Sequence, residues 1–222
     1  MESIKLKTPW KDHYFVQEAF KVLRTNLQFC GQDIRVVLLT SCNENEGKST
    51  ITLNIARSFA ELGKKVLVID ADLRKSVLAG RNTNVRNPKG LSEVLTGMCT
   101  VGEALYRVEE SSLYVLFAGQ YPPNPVELLS GKYFSTLLEE CRKNFDYIFI
   151  DTPPLGRVID AAVIAPNCDG TALVVGKNKI RYSQAQEVTE QLRKSGCRIL
   201  GVIRNSVKQK KHGYSDTDRY KK

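Results

Sequence analysis

The sequence lacks the segments and spacings that mark zinc, secreted and membrane proteins. It has only 6 Cys and 2 His, and no two cysteines form a CxxC pair, so we expect no zinc site. Scattered single cysteines are typical of reduced thiols in the cytoplasm. The first residues have no apolar signal segment, and no apolar run approaches the roughly 18 residues of a membrane span. These absences predict a cytoplasmic protein that reaches a membrane only through a partner or a basic surface.

The chain also lacks low-complexity segments and internal repeats. With 42% hydrophobic and 26% charged residues, its composition is that of a globular protein rather than a disordered, collagen-like or disulfide-stabilised one. Its length of 222 residues suits one large α/β domain. The net charge of +9 leaves three classes of partner open, namely nucleic acid, an anionic membrane surface and phosphate-bearing ligands.

Hydrophobic runs alternate with segments of helical periodicity along most of the chain. The runs predict buried strands over residues 34–40, 66–70, 113–117, 147–151, 171–175 and 199–203. The segments between them predict helices over residues 49–62, 91–95, 102–108, 133–144 and 183–194. Gly63 and Gly196 follow two of these segments and are typical helix stops. This alternation indicates an α/β fold with a doubly wound, mostly parallel sheet.

The two ends of the chain differ from this pattern. A helix predicted over about residues 14–29 carries a charged stripe of Glu18, Lys21 and Arg24. Its apolar stripe consists of Phe15, Val16, Ala19, Phe20, Leu23 and Leu27. Residues 208–222 have no apolar periodicity and carry five Lys and one Arg against two Asp. We predict one folded domain over residues 1–207, followed by a flexible basic tail that contains tyrosines.

Residues 41–50 follow a predicted strand and open a predicted helix. They end in the sequence EGKST (residues 46–50), which is typical of a phosphate-binding loop. Backbone N–H groups at such a helix N-terminus bind phosphate, Lys48 can reach the β- and γ-phosphate oxygens, and the Ser49 hydroxyl can bind Mg²⁺. The general pattern GxxxxGK[ST] has Gly where this chain has Cys42. The order of strand, loop and helix nevertheless argues against a chance Gly-Lys-Ser.

Carboxylates stand at the ends of two further predicted strands. Asp70 and Asp72 follow one apolar run, and Asp151 ends another. In doubly wound sheets ligands bind at the carboxyl ends of the strands. Carboxylates beside a triphosphate hold Mg²⁺ or accept a proton from a hydroxyl. Taken alone, each could merely cap a turn, but three such strand ends together indicate a nucleotide site.

This combination of motifs resembles the bacterial tyrosine kinases of capsule and exopolysaccharide synthesis, in particular the stand-alone cytoplasmic kind of Gram-positive bacteria. The resemblance rests on the phosphate loop, on the strand end IDADLR at residues 69–74 and on DTPP at residues 151–154. Further similar segments are residues 90–97, 119–129 and 160–161. The resemblance covers about residues 18–205 and implies a P-loop NTPase fold of the kind found in partitioning and septum-positioning ATPases.

The resemblance implies an ATP-dependent protein-tyrosine kinase with ATP and Mg²⁺ as cofactors. Lys48 would neutralise charge on the transferring phosphoryl group, and Asp70 would be the base for the tyrosine hydroxyl. The implied metal ligands are Ser49, Asp72 and Asp151, and the implied nucleotide-binding residues are Glu46, Gly47, Lys48, Ser49, Thr50 and Asn205. A purely structural role for Asn205 at a strand end stays open. The tail tyrosines Tyr214 and Tyr220 would be phosphorylated in trans.

The resemblance also implies partners. A separate transmembrane adaptor would recruit the kinase to the inner face of the membrane and activate it, and a cognate phosphatase would reverse its reaction. Glu18, Lys21 and Arg24 match a family segment that packs subunits into a ring, although Lys21 replaces an arginine and lacks its planar fork. A solvated charged face is the alternative. No nucleic acid partner is expected. For the basic residues Arg74, Lys75, Arg81, Arg86 and Lys89 a solvated loop is predicted, and contact with an acidic partner, a membrane surface or phosphate is the alternative.

Two other functions remain open on the sequence. A partitioning or septum-positioning ATPase has this fold, but it usually carries a lysine early in the phosphate loop, where this chain has Asn43. A nucleotide-gated scaffold with little catalysis would suit a tail with only two tyrosines. Self-phosphorylation separates the kinase from both alternatives, and ATP-dependent retention of DNA separates the alternatives from each other.

Overall fold

A central sheet of eight strands, most of them apolar, forms in the part of the chain that the structure describes. The structure is a computed structural model that describes residues 2–6, 14–83, 85–176 and 180–205. The strands are β1 (Glu2–Ile4), β2 (Val36–Ser41), β3 (Val66–Asp70), β4 (Leu105–Val108), β5 (Leu113–Leu116), β6 (Tyr147–Asp151), β7 (Gly170–Gly176) and β8 (Ile199–Asn205). All six predicted strands are therefore confirmed. Strands β1 and β4 were not predicted.

The order of the strands confirms a doubly wound, mostly parallel sheet. The order is β1-β4-β5-β3-β6-β2-β7-β8. Neighbouring strands are parallel except for β4 and β5, which are antiparallel. Strand β6 lies between β2 and β3, so the strand that precedes the phosphate loop and the two strands that end in aspartates are neighbours. Parallel neighbours need crossover connections, and these place helices on both faces of the sheet.

Helices cover the two faces and form two core clusters with alternate strand residues. They are α1 (Tyr14–Phe29), α2 (Lys48–Ala60), α3 (Leu78–Asn82), α4 (Leu91–Leu95), α5 (Val101–Ala104), α6 (Pro125–Ser130), α7 (Lys132–Asn144), α8 (Asp160–Ile164) and α9 (Tyr182–Lys194). Val37 and Phe149 pack with Phe59 of α2 on one face, whereas Ile69 and Ile150 pack with α7 and α9 on the other. Among the described residues, no helix has both the length and the apolar character needed to cross a membrane.

The helix predicted over residues 102–108 is right in its first part and wrong in its second. Helix α5 ends at Ala104, and the residues that follow it form β4. Glu103 caps this short helix, because its Oε2 accepts hydrogen bonds from the backbone N–H and the hydroxyl of Thr100 at 2.8 and 2.9 Å. Beyond the helix, Leu105 and Tyr106 are buried and pair with β5. Pairing with a neighbouring strand therefore overrides the local pattern.

Strand β8 is less buried than its apolar run predicts. Val202 is 62% exposed, and Gly201 and Arg204 are exposed as well. Within the described ranges β8 pairs only with β7, so it forms an edge of the sheet. An apolar run predicts a strand, but it does not distinguish a central strand from an edge strand.

Helix α1 packs against α2 with a face that is rotated from the predicted stripe. Leu27 is buried, and Phe20 and Leu23 are partly buried against the core. Phe15, which was predicted on the same stripe, is 65% exposed. Phe20, Leu23 and Leu27, which pack inward, are spaced three and four residues apart, as helical geometry requires. The apolar residues of α1 also formed a second, overlapping stripe through Phe15, and the pattern alone did not show which of the two faces the core.

A salt bridge fastens the amino-terminal ends of the strands, far from the phosphate loop. Asp169 precedes β7, and its Oδ2 accepts hydrogen bonds from the backbone N–H groups of Arg35 at 2.9 Å and Val36 at 2.7 Å. Arg142 of α7 donates to both carboxylate oxygens at 2.9 and 2.8 Å. Burial alone would raise the pKa of Asp169, but these hydrogen bonds lower it below its ordinary value. The carboxylate therefore ties together β2, β7 and α7.

We expect Asp169→Asn to destabilise the protein at pH 7 by about 1–3 kcal/mol, because it removes charge-assisted hydrogen bonds. The folded-state pKa lies below the unfolded value, so this stabilisation is present above about pH 3.9 and is lost as pH falls through the folded pKa. Urea denaturation should therefore show a large difference from the wild type at neutral pH and a smaller one near pH 3. The control is Glu140→Gln, because Glu140 forms an exposed salt bridge with Lys143. This change should alter the free energy of unfolding little at either pH. A pH-independent difference for Asp169→Asn would contradict the prediction.

Candidate functional site

The phosphate loop connects β2 to α2 at the carboxyl edge of the sheet. Lys48 is the first residue of α2, and the backbone N–H of Ile51 donates to the carbonyl of Gly47 at 2.9 Å. Gly47 has a φ of 89°, a left-handed conformation that favours glycine. The N–H groups of the first turn of α2 therefore point toward the loop, as in helices that bind phosphate.

Glu46 holds the loop in shape through a buried carboxylate. Its Oε2 accepts hydrogen bonds from the backbone N–H groups of Cys42 at 2.9 Å and Asn43 at 2.8 Å. Its Oε1 accepts one from the N–H of Gly176 at 3.0 Å, at the end of β7. The residue is 1% exposed. Three N–H donors replace the water that this carboxylate has lost, so Glu46 links the phosphate loop to the sheet.

Asn205, the last residue of β8, contacts the backbone of the phosphate loop. Its Nδ2 donates to the carbonyl of Glu46 at 2.9 Å. A Cβ atom at Gly47 would collide with the same amide, so the missing side chain at that position lets Asn205 approach. The amide supports the loop here, in line with the structural role left open by the sequence. A contact between Asn205 and adenine stays a prediction.

Strands β3 and β6 place two buried carboxylates side by side. Asp70 and Asp151 are partners in the strand register, and they are 0% and 1% exposed. Burial raises the pKa of Asp70 well above its ordinary value, and the charge of Asp151 adds to this effect. Burial also raises the pKa of Asp151 to about 6, while the charge of Lys48 acts in the opposite direction.

Asp72 lies above Asp70 and faces the cavity described below. The Oδ1 of Asp70 accepts a hydrogen bond from the backbone N–H of Asp72 at 3.2 Å, and its Oδ2 accepts one from the Ser76 hydroxyl. Asp72 in turn accepts hydrogen bonds from the backbone N–H groups of Arg74 and Lys75 at 3.2 and 2.9 Å. The turn after β3 is therefore held by the two carboxylates that the sequence singled out.

Asp151 lies among oxygen atoms of the kind that bind Mg²⁺ as ligands. The Thr52 hydroxyl donates to its Oδ1 at 3.4 Å, and the Ser49 hydroxyl acts to lower its pKa. In the described part of the chain, no group of three or more His, Cys, Asp or Glu side chains is arranged to hold a metal ion. A hydroxyl and one or two carboxylates, completed by water and phosphate oxygens, are the ligands that Mg²⁺ takes in nucleotide sites. Ser49, Asp72 and Asp151 therefore fit a metal that binds together with a nucleotide.

The loop after β6 is fixed against β2 and the phosphate loop. The Thr152 hydroxyl donates to the carbonyl of Leu39 at 2.8 Å, and the Thr40 hydroxyl donates to the carbonyl of Pro153 at 3.1 Å. Further along this loop, Gly156 passes so close to the carbonyl of Cys42 that a Cβ atom would collide with it. The two loops therefore form adjoining walls.

A cavity of about 600 Å³ lies between these loops and the turn after β3. Among the predicted site residues, those on its wall are Gly47, Lys48, Ser49, Thr50 and Asp72. The residues that support this wall from behind are Glu46, Asp70, Asp151 and Asn205. The predicted acceptors Tyr214 and Tyr220 lie outside the described residues. The structure thus brings the predicted catalytic and nucleotide-binding residues to one place.

Basic side chains line this cavity. They are Lys48, Arg74, Lys75, Arg81 and Arg157. Arg74, Lys75 and Arg81 are exposed, as predicted for a solvated loop. They also border the site, which favours the alternative of contact with phosphate. A cavity with this charge favours a polyphosphate ligand. Arg74 was not among the predicted site residues, although it lies within the IDADLR motif, and no signal in the sequence pointed to Arg157.

The charged stripe of α1 lies away from the cavity. Lys21 donates to Glu18 at 2.7 Å on the exposed surface of the helix. Arg24 instead faces α2, where its Nη1 donates to the carbonyl of Ser58. Glu18 and Lys21 therefore remain on an outer surface, whereas Arg24 helps to hold α1 on the domain.

Two further motif segments pack against each other and form one unit. Glu93 accepts hydrogen bonds from the backbone N–H groups of Gly90 at 2.8 Å and Gln120 at 3.0 Å. Gly119 has a φ of 82°, and a Cβ atom there would collide with the Glu93 carboxylate. The contacts of Glu93 therefore explain Gly90 and Gly119 in these segments by packing rather than by a role at the cavity.

Comparisons with known proteins agree with this fold and site. A family model described as an AAA domain matches residues 36–169. The crystal structure of the chimerical protein CapA2B2 is similar with a TM-score of 0.84 and 28% identity, covering 93% of this chain and 94% of that chain. The cell division ATPase MinD of Pyrococcus furiosus gives a TM-score of 0.64 and 27% identity, covering 82% and 74%. The fold and the site define a nucleotide-binding α/β protein of the P-loop ATPase class.

A relative with known function shows which family within this class the chain belongs to. The tyrosine-protein kinase CpsD of Streptococcus agalactiae is 40% identical over 206 residues, which cover 93% of this chain and 90% of the relative. The chain belongs to this family of bacterial tyrosine-protein kinases. The resemblance inferred from the motifs is therefore confirmed, and a partitioning or septum-positioning ATPase is not supported.

We expect Glu46→Gln to weaken ATP binding about 10-fold, although Glu46 lies behind the cavity wall. The new amide group would face a backbone N–H with its own donor, and a buried donor without a partner costs about 1–3 kcal/mol. Isothermal titration calorimetry with ATP measures the affinity, and thermal denaturation reports any loss of stability. Glu61→Gln is the control, because Glu61 forms an exposed pair with Arg57 at the other end of α2. Wild-type ATP affinity in Glu46→Gln would contradict the prediction.

Proposed function

We propose that this protein is an ATP-dependent protein-tyrosine kinase that phosphorylates Tyr214 and Tyr220 of its own tail in trans. Through this reaction it regulates the synthesis and export of a capsular or other extracellular polysaccharide. The observation that carries the proposal is a basic cavity lined by the phosphate loop and Asp72, with the buried pair Asp70 and Asp151 behind its wall. Membership of the tyrosine-protein kinase family favours the kinase over the alternative functions.

In the proposed reaction the phosphate loop binds and polarises the phosphates of ATP. The backbone N–H groups at the start of α2 face the β- and γ-phosphates, and Lys48 neutralises charge on the phosphoryl group as it transfers. Because Lys48 is only 8% exposed, water screens its charge weakly. Ser49, Asp72 and Asp151 would hold Mg²⁺ bound together with ATP, and the metal would further neutralise the phosphate oxygens.

We assign the proton of the tyrosine hydroxyl to Asp70. Burial beside Asp151 raises the pKa of Asp70 well above its ordinary value, toward the range of an effective general base. The Ser76 hydroxyl now donates to this carboxylate, so the substrate hydroxyl must take the place of that donor. Asp72 stays on the cavity wall as a metal ligand.

We also propose a cytoplasmic kinase that a separate transmembrane adaptor recruits to the membrane and that a cognate phosphatase opposes. Self-association into a ring is supported by exposed apolar side chains on α1. Tyr14, Phe15, Val22 and Phe29 of this helix are between 59% and 82% exposed. Large apolar side chains that share one exposed helix are typical of an interaction surface. Glu18 and Lys21 would contribute the charged part of this interface. Arg24, the third residue of the predicted stripe, would act indirectly by holding α1 on α2.

We expect a phosphotyrosine immunoblot after incubation with ATP and Mg²⁺ to give a signal that Lys48→Met abolishes. The signal should fall severalfold in Tyr214→Phe/Tyr220→Phe, because these residues are the proposed acceptors. The cytoplasmic segment of the adaptor should strengthen the wild-type signal.

The control for the tail variant is Tyr133→Phe/Tyr182→Phe. These tyrosines are 77% and 78% exposed but lie on helices α7 and α9, so the signal should persist. A Lys48-dependent signal that survives the tail change would keep the kinase and place the acceptor elsewhere. No signal with the adaptor present and ATP bound would contradict the kinase and favour a nucleotide-gated scaffold.

We expect Lys21→Glu to shift the protein toward monomers in light-scattering measurements. Lys21 pairs with Glu18 on the surface, so the change places two acidic groups side by side on the proposed interface without disturbing the core. Arg24 is less suitable, because it also holds α1 on α2. Lys143→Glu reverses an equivalent exposed pair on α7 and should leave the oligomeric state unchanged. An unchanged mass for Lys21→Glu would argue against this interface.

A further inference from the structure

A buried aspartate holds the arginine of the IDADLR motif at the cavity. Asp160 is the first residue of α8 and is 0% exposed. The Nε and Nη2 atoms of Arg74 donate to its two carboxylate oxygens at 2.7 and 3.0 Å. Such two-point pairing fixes the plane of the guanidinium group as well as its position. The contact also joins the turn after β3 to the loop after β6, which are two walls of the same cavity.

The edge of the guanidinium group that does not face Asp160 can bind a ligand in the cavity. Arg74 lines the cavity beside Lys48 and Ser49, whereas Asp160 is not on the wall. An arginine has five N–H donors, and Asp160 accepts from two nitrogen atoms. Within the described ranges, the Nη1 atom of Arg74 donates no hydrogen bond to the protein. The side chain is 37% exposed, so a phosphate in the cavity can reach it.

The surrounding charges keep this side chain charged and in place. The hydrogen bond to Asp160 raises the pKa of Arg74, and the charges of Asp72 and Glu127 act in the same direction. Asp160 depends on the pairing in turn, because a fully buried carboxylate without a partner is costly. The two residues therefore act as one unit.

We infer that Asp160 is a positioning residue for phosphoryl transfer, acting by holding the free edge of Arg74 toward the phosphates of the bound nucleotide. Donors that are fixed before the reaction stabilise developing charge best, because they need not reorganise in the transition state. This inference rests on the proposed use of ATP but not on the identity of the phosphate acceptor.

A purely structural pair is the alternative, and the chain contains one for comparison. Arg142 and Asp169 form the same kind of two-point contact at 2.9 and 2.8 Å, at the amino-terminal end of the strands. Neither residue lies on the cavity wall. If both pairs only stabilise the fold, matched substitutions in the two pairs will have matched effects.

The test compares Arg74→Lys, Asp160→Asn, their double variant and Arg142→Lys in the full chain. Calorimetry measures affinity for ADP and for ADP with aluminium fluoride, a mimic of the transferring phosphoryl group, both with Mg²⁺. We expect Arg74→Lys and Asp160→Asn to weaken binding of the mimic by about 10- to 100-fold, with affinity for ADP alone within about 3-fold of the wild type. The double variant should be no weaker than Arg74→Lys, because both changes act through one guanidinium group. Where turnover is measured, kcat should fall while KM for ATP changes little.

Arg142→Lys should lower only the thermal stability. Equal losses for ADP and for the mimic, or changes confined to thermal stability as in Arg142→Lys, would overturn the inference. Should Asp160→Asn not fold, Arg74→Lys and Arg74→Gln carry the same comparison. Because the mimic needs no phosphate acceptor, absence of tyrosine phosphorylation would contradict the proposed function and leave this test intact.

Discussion

The parallel pairing of β2, β6 and β3 determines where every polar group of the site lies. In this register Leu39 is the partner of Asp151, and Asp151 is the partner of Asp70. The loops that follow the three strands therefore leave the sheet at one edge and at one level. These inner strands are buried on both faces, and a slip of one residue would exchange the side chains of the two cores. The sheet thus fixes the site before any ligand binds.

This arrangement requires charge to be buried at the ends of apolar strands, and each carboxylate is accommodated differently. Glu46 is satisfied by backbone N–H groups, which leaves it a structural role. Asp151 has Lys48 and two hydroxyl groups nearby. Asp70 has less compensation, and its pKa is raised accordingly. Carboxylates whose pKa values differ because of their surroundings are typical of sites that bind metal and move protons. The burial that costs folding free energy therefore also shifts the pKa values that the reaction uses.

The sequence predicted the features that depend on local pattern, and it failed where a remote partner decides the outcome. Strands β3 and β6 have the bounds that their apolar runs predict, and the phosphate loop follows β2 as its motif requires. The segment 102–108 was misread because β5 pairs with its second half. The partner of Arg74 lies 86 residues further along the chain. A local sequence pattern cannot predict a contact between residues so far apart in the chain. Arg157 was missed at the cavity wall for the same reason.

The departure of the phosphate loop from its general pattern at Cys42 has a physical explanation. The left-handed residues of the loop are Asn45 and Gly47, with φ of 59° and 89°, and Cys42 is not among the residues with positive φ. Asparagine tolerates this conformation better than most residues. Close approach of the backbone does occur at the carbonyl of Cys42, but the residue that needs no side chain there is Gly156 of the facing loop.

Cys42 itself behaves as a small apolar residue. It is 2% exposed, and burial raises the pKa of its thiol to about 12, so the thiol stays protonated. The glycine that other phosphate loops carry at this position is therefore unnecessary here, because Gly156 provides the room from the opposite side. A loop of this class is defined by its backbone geometry and its facing wall together, and a pattern confined to the loop describes only half of that requirement.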